Sequence, residues 1–293
     1  MRTFKRLTAS ALLLMFVGTS LMATNPAFDV KIYGTGNPVI FIPGLACSGE
    51  IWTSTVERYK SKFECHVLTL AGFAGVPTTD GDFIETVRRE IAGYIHSHKL
   101  NKPIIVGHSI GGLIALAVAS HDPNLVGKLI IVDAFPFLPA VQMPTATVET
   151  IKPQAEMLRS MISKQTAEQY RQSQPAVLMT MMSDSTSMHK ILEWGLASDR
   201  EAVGRAMYGA LTTDLREAVS TITSPTVVLG TWIAYKPFGA TRESTRHAFE
   251  VQYANMPHCE IRMAEHARHF IMVDDPAWFF QQLDEVLLAE GGL

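Results

Sequence analysis

Ile104-Ile-Val-Gly-His-Ser-Ile-Gly-Gly112 joins an apolar run, Lys102 to Gly107, to a segment rich in Ala and Leu, Ile110 to His121. The run reads as a buried strand and the segment as a helix. Between them Gly107, Ser109 and Gly111 fit G-x-S-x-G, in the strand-then-helix context that gives so short a pattern meaning. A turn this tight presses backbone against backbone, so side chains at 107 and 111 would clash, and it projects the serine hydroxyl at the carboxyl edge of a sheet. The helix begins beneath Ser109, and its first N–H groups and dipole favour the negative charge that an attacked carbonyl oxygen develops. The competing reading is a Gly-rich phosphate-type turn with Ser109 as a helix cap. His108 is expected to pack sideways as a structural residue.

The same rhythm extends outward. Asp29 to Tyr33 reads as an edge hairpin, Pro38-Val-Ile-Phe-Ile42 as a buried strand closed by Pro43 and Gly44, and a helix starts near Trp52. Glu64 to Leu70 is a further strand, followed by the turn Ala71-Gly-Phe-Ala-Gly75 and a helix from about Asp82 to His98. Lys128 to Asp133 is another continuous apolar strand. Apolar strands alternating with amphipathic helices predict a parallel sheet covered on both faces.

From Phe137 to about Arg216 the alternation stops and only helices are read. Eight of the fourteen methionines fall here; at helical spacing they fill a core or, being flexible thioethers, line a lid over apolar substrates. Strands return at Pro225 to Leu229 and Glu260 to Met263, and a final helix opens at Asp275-Pro276 and runs through Val286. Residues 24–136 and 217–293 therefore read as one interrupted domain, with 137–216 as a helical cap.

The 293 residues are 47% hydrophobic and 18% charged, with a formal charge of −3 and no basic cluster. Such a composition excludes a disordered chain and gives no footing for nucleic acid. At the N-terminus, Arg2, Lys5 and Arg6 precede the apolar run Ala11 to Val17 and the small or polar Gly18-Thr-Ser20. This is a signal-peptide pattern, too short to span a bilayer, and predicts cleavage after residue 23, no lasting membrane anchor, and a secreted or periplasmic product. Cys47, Cys65 and Cys259 form neither a zinc spacing nor a disulfide scaffold and read as small buried residues. No metal motif is present, and no cofactor is expected.

The strand, the elbow Gly107-His-Ser-Ile-Gly111 and the following helix resemble the α/β-hydrolase superfamily, specifically esterase-like members with a helical cap inserted after the sixth core strand. The resemblance covers nearly all of the mature chain. It implies a backbone oxyanion hole formed by Ile110, after the nucleophile, and by Leu45 in Phe41-Ile-Pro-Gly-Leu-Ala-Cys47, with Ala46 as the substitute donor. Pro43 stands where many relatives carry His. It also implies a base in the loop before the last helix, where His269 fits the spacing better than His266; His247 and His258 read as ordinary residues. Serine needs such a base because its hydroxyl is a poor nucleophile until an imidazole takes the proton, and a carboxylate must hold that imidazole in the right tautomer.

The usual acid position is empty: Val227 to Gly239, after the seventh core strand, holds no carboxylate. Some superfamily members place the acid at the end of the sixth strand, where this chain has Asp133, with Glu243 and Glu250 as alternatives. Met179, Met182, Trp232, Tyr235 and Phe238 are the expected walls of an apolar acyl pocket. The resulting expectation is a carboxylic-ester hydrolase acting on a small-molecule ester. A lactonase, an amidase or a carbon-carbon bond hydrolase on the same residues, or a receptor-like homologue with little turnover, are the alternatives.

Overall fold

The structure, a computed structural model, describes residues 25–288. The expected signal peptide, residues 1–23, lies outside them. Seven strands form one sheet in the order β1-β3-β2-β4-β5-β6-β7: β1 Phe28–Tyr33, β2 Asn37–Ile42, β3 Phe63–Leu70, β4 Ile104–His108, β5 Lys128–Val132, β6 Thr226–Gly230 and β7 Cys259–Met263. All neighbours are parallel except β1, which runs antiparallel to β3. The expected hairpin at Asp29 to Tyr33 is thus not formed. Gly34 and Gly36, both with positive φ, turn the chain into β2, which takes an inner place while β1 stays at the edge beyond β3.

Helices α1 Thr53–Tyr59, α2 Phe83–Ser97 and α3 Ile110–His121 lie among the early strands; α4 Val148–Lys164, α5 Ala167–Met181, α6 Ser185–Ala197 and α7 Arg200–Thr212 all fall between β5 and β6. The last are α8 Arg242–Gln252, the short α9 Ile271–Asp274, and α10 Pro276–Leu287. Counted along this chain, the helical segment follows the fifth strand.

Pleating sorts the strand residues onto two faces. Ile40 and Ile42 of β2 join a buried cluster with Val87 of α2, Ile114 of α3 and Phe249 of α8. Val39 and Phe41 join another with Val56 of α1 and Phe279 and Leu283 of α10. A sheet sandwiched in this way explains why its strands read as unbroken apolar runs. The helices between β5 and β6 divide along the same line. Helix α7 packs on α4, α2 and α3, whereas α5 packs on α6. Leu178 of α5 and Ile191 of α6 belong to the cluster that holds Phe270 and Ile271, just before and in α9. The turn at Ala71 to Gly75 docks the α6–α7 junction, since the Asp199 N–H donates to the Gly72 carbonyl at 2.8 Å and the Ala74 N–H to Ser198 Oγ at 2.9 Å.

Register aligns the strand ends. Ile42 pairs with Gly107, His108 with Val132, Val132 with Leu229, and Gly230 with Met263. Parallel strands in this register deliver the loops after β2, β4, β5, β6 and β7 to one edge of the sheet, where ligands of open α/β sheets bind.

Candidate active site

Ser109 occupies the turn from β4 to α3 with φ 56° and ψ −123°, a conformation L-residues rarely adopt. Holding it costs on the order of 1–3 kcal/mol, which the packing around the turn must offset. The packing shows how. A Cβ at Gly107 would collide with the Gly111 carbonyl, and one at Gly111 would lie 2.5 Å from the Ile42 oxygen and 2.6 Å from that of Pro43. The start of α3 thus sits directly on the end of β2, as the two glycines in the sequence require. The Ser109 N–H donates to the Val132 carbonyl at 2.9 Å, tying the elbow to the residue before Asp133.

Asp133 is buried, its side chain fully shielded, and its φ of 45° marks a second strained position at this edge. One carboxylate oxygen accepts the Thr231 N–H at 3.2 Å. The other accepts the His269 Nδ1–H at 2.6 Å and a longer contact from the Tyr235 hydroxyl at 3.4 Å. Because the carboxylate can only accept, His269 carries its proton on Nδ1, leaving the Nε2 lone pair free to take one. Burial first, and then the Asp133 charge, push the Tyr235 phenol well above its usual range, so it remains a donor. Among the described residues the His269 ring is hydrogen-bonded to Asp133 and to no hydroxyl.

His108 links the two ends. Its ring centroid lies 4.6 Å from that of His269, and its Nε2 donates to the His269 carbonyl at 3.0 Å. Complete burial, reinforced by the neighbouring His269, holds its pKa well below 6.5, so it stays neutral. Gly44 leaves it room, since a Cβ there would lie 2.8 Å from His108 Nδ1 and 3.5 Å from Ser109 Cβ. This contact also places the Gly44-Leu45-Ala46 loop beside the serine, with Ala46 at φ 55°. Leu45 and Ile110 therefore flank Ser109 from the loop after β2 and from the first residue of α3, whose N–H has no helical acceptor.

The remaining candidates separate. His266, His247 and His258 are exposed. Glu250 is exposed and paired with Arg246 at 2.7 Å, and Glu243 lies in the first turn of α8. The expected acyl wall is not assembled as such. Met179 is 55% exposed, whereas Met182 has no exposed surface and packs in the core with Ala267 and Phe270. Met182 follows the end of α5 in an extended conformation, which turns it off the helix face that its spacing suggested. Trp232 is half-buried against the core, Tyr235 is engaged by Asp133, and the Phe238 side chain lies outside the described part of the structure. Cys47 and Cys65 are buried and Cys259 half-buried; all three are free thiols, and burial pushes Cys47 up to about 12. Among the described residues no group of His, Cys, Asp or Glu is placed to hold a metal ion, and no helix is long and apolar enough to cross a membrane.

A profile of the alpha/beta hydrolase family matches residues 39–282. The chain belongs to this family. This alpha/beta hydrolase is 32% identical over 103 residues to a pimeloyl-[acyl-carrier protein] methyl ester esterase of Vibrio vulnificus; the match covers 35% of the chain and 39% of that relative's length. Among solved structures, an esterase from Exiguobacterium antarcticum superposes with a TM-score of 0.73 at 17% identity, covering 89% of this chain and 96% of that one. An enol-lactonase from Burkholderia xenovorans LB400 superposes with a TM-score of 0.71 at 16% identity, with the same coverage. At such identities the superpositions establish the fold.

Proposed function

We propose that this chain is an exported serine hydrolase of carboxylic esters, with Ser109 as nucleophile, His269 as general base and Asp133 as the acid that orients it. The observation that carries the reading is the 2.6 Å hydrogen bond from His269 Nδ1–H to a fully buried Asp133, one residue beyond the carbonyl that binds the Ser109 N–H. In this reading His269 Nε2 removes the hydroxyl proton as Ser109 Oγ attacks the ester carbonyl. The N–H groups of Ile110 and Leu45 receive the oxyanion, helped by the α3 dipole. Asp133 stabilises the imidazolium, which then protonates the departing alcohol. Water, activated by the same imidazole, releases the acid from the acyl-enzyme and restores Ser109.

The esterase names carried by the Vibrio relative and the Exiguobacterium neighbour favour an ester; the enol-lactonase neighbour keeps a cyclic ester as a second reading on the same residues. The test is turnover of nitrophenyl esters from acetate to octanoate, alongside simple lactones, by wild type and Ser109→Ala. Multiple turnover that falls at least ~10³-fold in the variant is expected, since members of such a triad act as a unit. An equally active variant, or a wild type that stops after one turnover as a receptor-like homologue would, contradicts the proposal.

A further inference from the structure

We infer that Arg268 and Asp274 are positioning residues for His269, tying the base to the turn that ends α5, so that the aim of the imidazole depends on how that helix is seated. The inference rests on the reading of His269 as the base. Two segments far apart in sequence, 179–183 and 268–274, are joined by a compact set of hydrogen bonds. Arg268 Nη1 donates to the Met179 carbonyl at 2.6 Å and to the Met182 carbonyl at 2.7 Å. The Phe270 N–H donates to the Met181 carbonyl at 3.2 Å. One oxygen of Asp274 accepts the Ser183 N–H at 2.8 Å and the Ser183 hydroxyl at 2.9 Å, while the other accepts the Arg268 N–H at 3.0 Å.

The carbonyls at the end of α5 lack helical partners, and their partial negative charge suits a guanidinium. Arg268 satisfies two of them at once. The bonds fall on both sides of His269, at the N–H of residue 268 and at that of 270, while its own carbonyl is held by His108. With the backbone fixed on either side, only the two side-chain torsions of His269 remain, and Asp133 sets those. Helix α5 also packs on the 233–238 segment that carries Tyr235, the donor to Asp133. One helix therefore abuts the supports of both the base and the acid. Such an arrangement makes the chemical step, more than ground-state binding, sensitive to anything that shifts α5.

The experiment compares kcat and KM for nitrophenyl acetate and butyrate in Arg268→Met, Arg268→Lys, Arg268→Ala, Asp274→Asn and Ser109→Ala, with folding followed by circular dichroism. Arg268→Met keeps the aliphatic stem and is expected to lower kcat about 10- to 100-fold, the scale of a misplaced catalytic group, with KM within about threefold of wild type. Arg268→Lys, retaining one donor, is expected to recover part of the loss, and Asp274→Asn to fall between them. In Arg268→Ala, millimolar guanidinium is expected to restore activity in a saturable way, which a loss of fold would not permit. A folded Arg268→Met with wild-type kcat, or one with raised KM and unchanged kcat, overturns the inference. Should Arg268→Met fail to fold, Asp274→Asn with unaltered kcat overturns it equally. An active Ser109→Ala contradicts instead the reading on which it rests.

Discussion

Ser109 and His269 are held by opposite kinds of structure. The serine owes its turn to residues beside it, Gly107, Gly111 and the first turn of α3, which seat against the end of β2 and the Val132 carbonyl. The histidine sits in a loop and is fixed by partners distant in sequence: Asp133, 136 residues away, and His108, 161 residues away. A local arrangement must be written into consecutive residues, because a steric collision at one of them has no remedy nearby. A long-range arrangement leaves each partner free to look ordinary in its own neighbourhood. The elbow should therefore fail all at once, and the base by degrees.

The severest break of the local half is Gly111→Val. Its side chain would meet backbone oxygens of Ile42 and Pro43 that cannot move aside. Ester turnover is expected below about 10⁻³ of wild type, approaching that of Ser109→Ala; a Gly111→Val enzyme within tenfold of wild type contradicts the steric role of Gly111. In the long-range half, Asp133→Asn is expected to fold normally and lose roughly 10²- to 10⁴-fold in kcat, because the amide no longer selects the Nδ1–H tautomer. Near-normal activity there, joined to inactivity of Glu243→Gln or Glu250→Gln, would move the acid elsewhere.

Smaller effects sharpen the contrast. Met182→Ala is expected to cost about 2–5 kcal/mol in denaturant unfolding, as a fully buried methionine under the His269 loop, whereas Met179→Ala should stay within about 0.5 kcal/mol. Equal values would dissolve the distinction between core and surface at the end of α5. His108 supplies a pH test. Its pKa lies well below 6.5 in the folded chain, so below pH 6.5 the unfolded chain binds the extra proton. That contribution to stability is present above 6.5 and is lost as pH falls toward the folded value. His66, also lowered by burial, adds in the same direction. His108→Gln keeps a donor without the titration and is expected to flatten the fall in unfolding free energy between pH 7 and 5; an unchanged slope contradicts the buried neutral imidazole.

This division explains what could be read from the chain. The strands from Pro38 onward, the elbow and the segment of helices were legible because apolar runs and Gly spacing are local signals. Asp133 was legible only through an absence, the missing carboxylate after Leu229, together with its own place at a strand end. The partner of β1 was not, since nothing in Phe28–Tyr33 distinguishes pairing with β2 from pairing with β3. Met179 and Met182 do not share one face because the backbone leaves the helix after Met181, which exposes the first and buries the second. Arg268, Asp274 and the donors Thr231 and Tyr235 carry no motif at all. Only the fold brings them to His269 and Asp133, and the one sequence hint was that Arg268 and Asp274 flank the histidine.

The proposed roles of Ser109 and His269 are tested together by the site and rate of covalent modification by a fluorophosphonate, mapped by peptide mass spectrometry in wild type, Ser109→Ala and His269→Gln. One adduct per chain is expected, on the peptide holding Gly107 to Gly112, absent in Ser109→Ala and formed at least ~10²-fold more slowly in His269→Gln. An adduct on another residue, or ester turnover that persists while Ser109 stays unmodified, would contradict those roles.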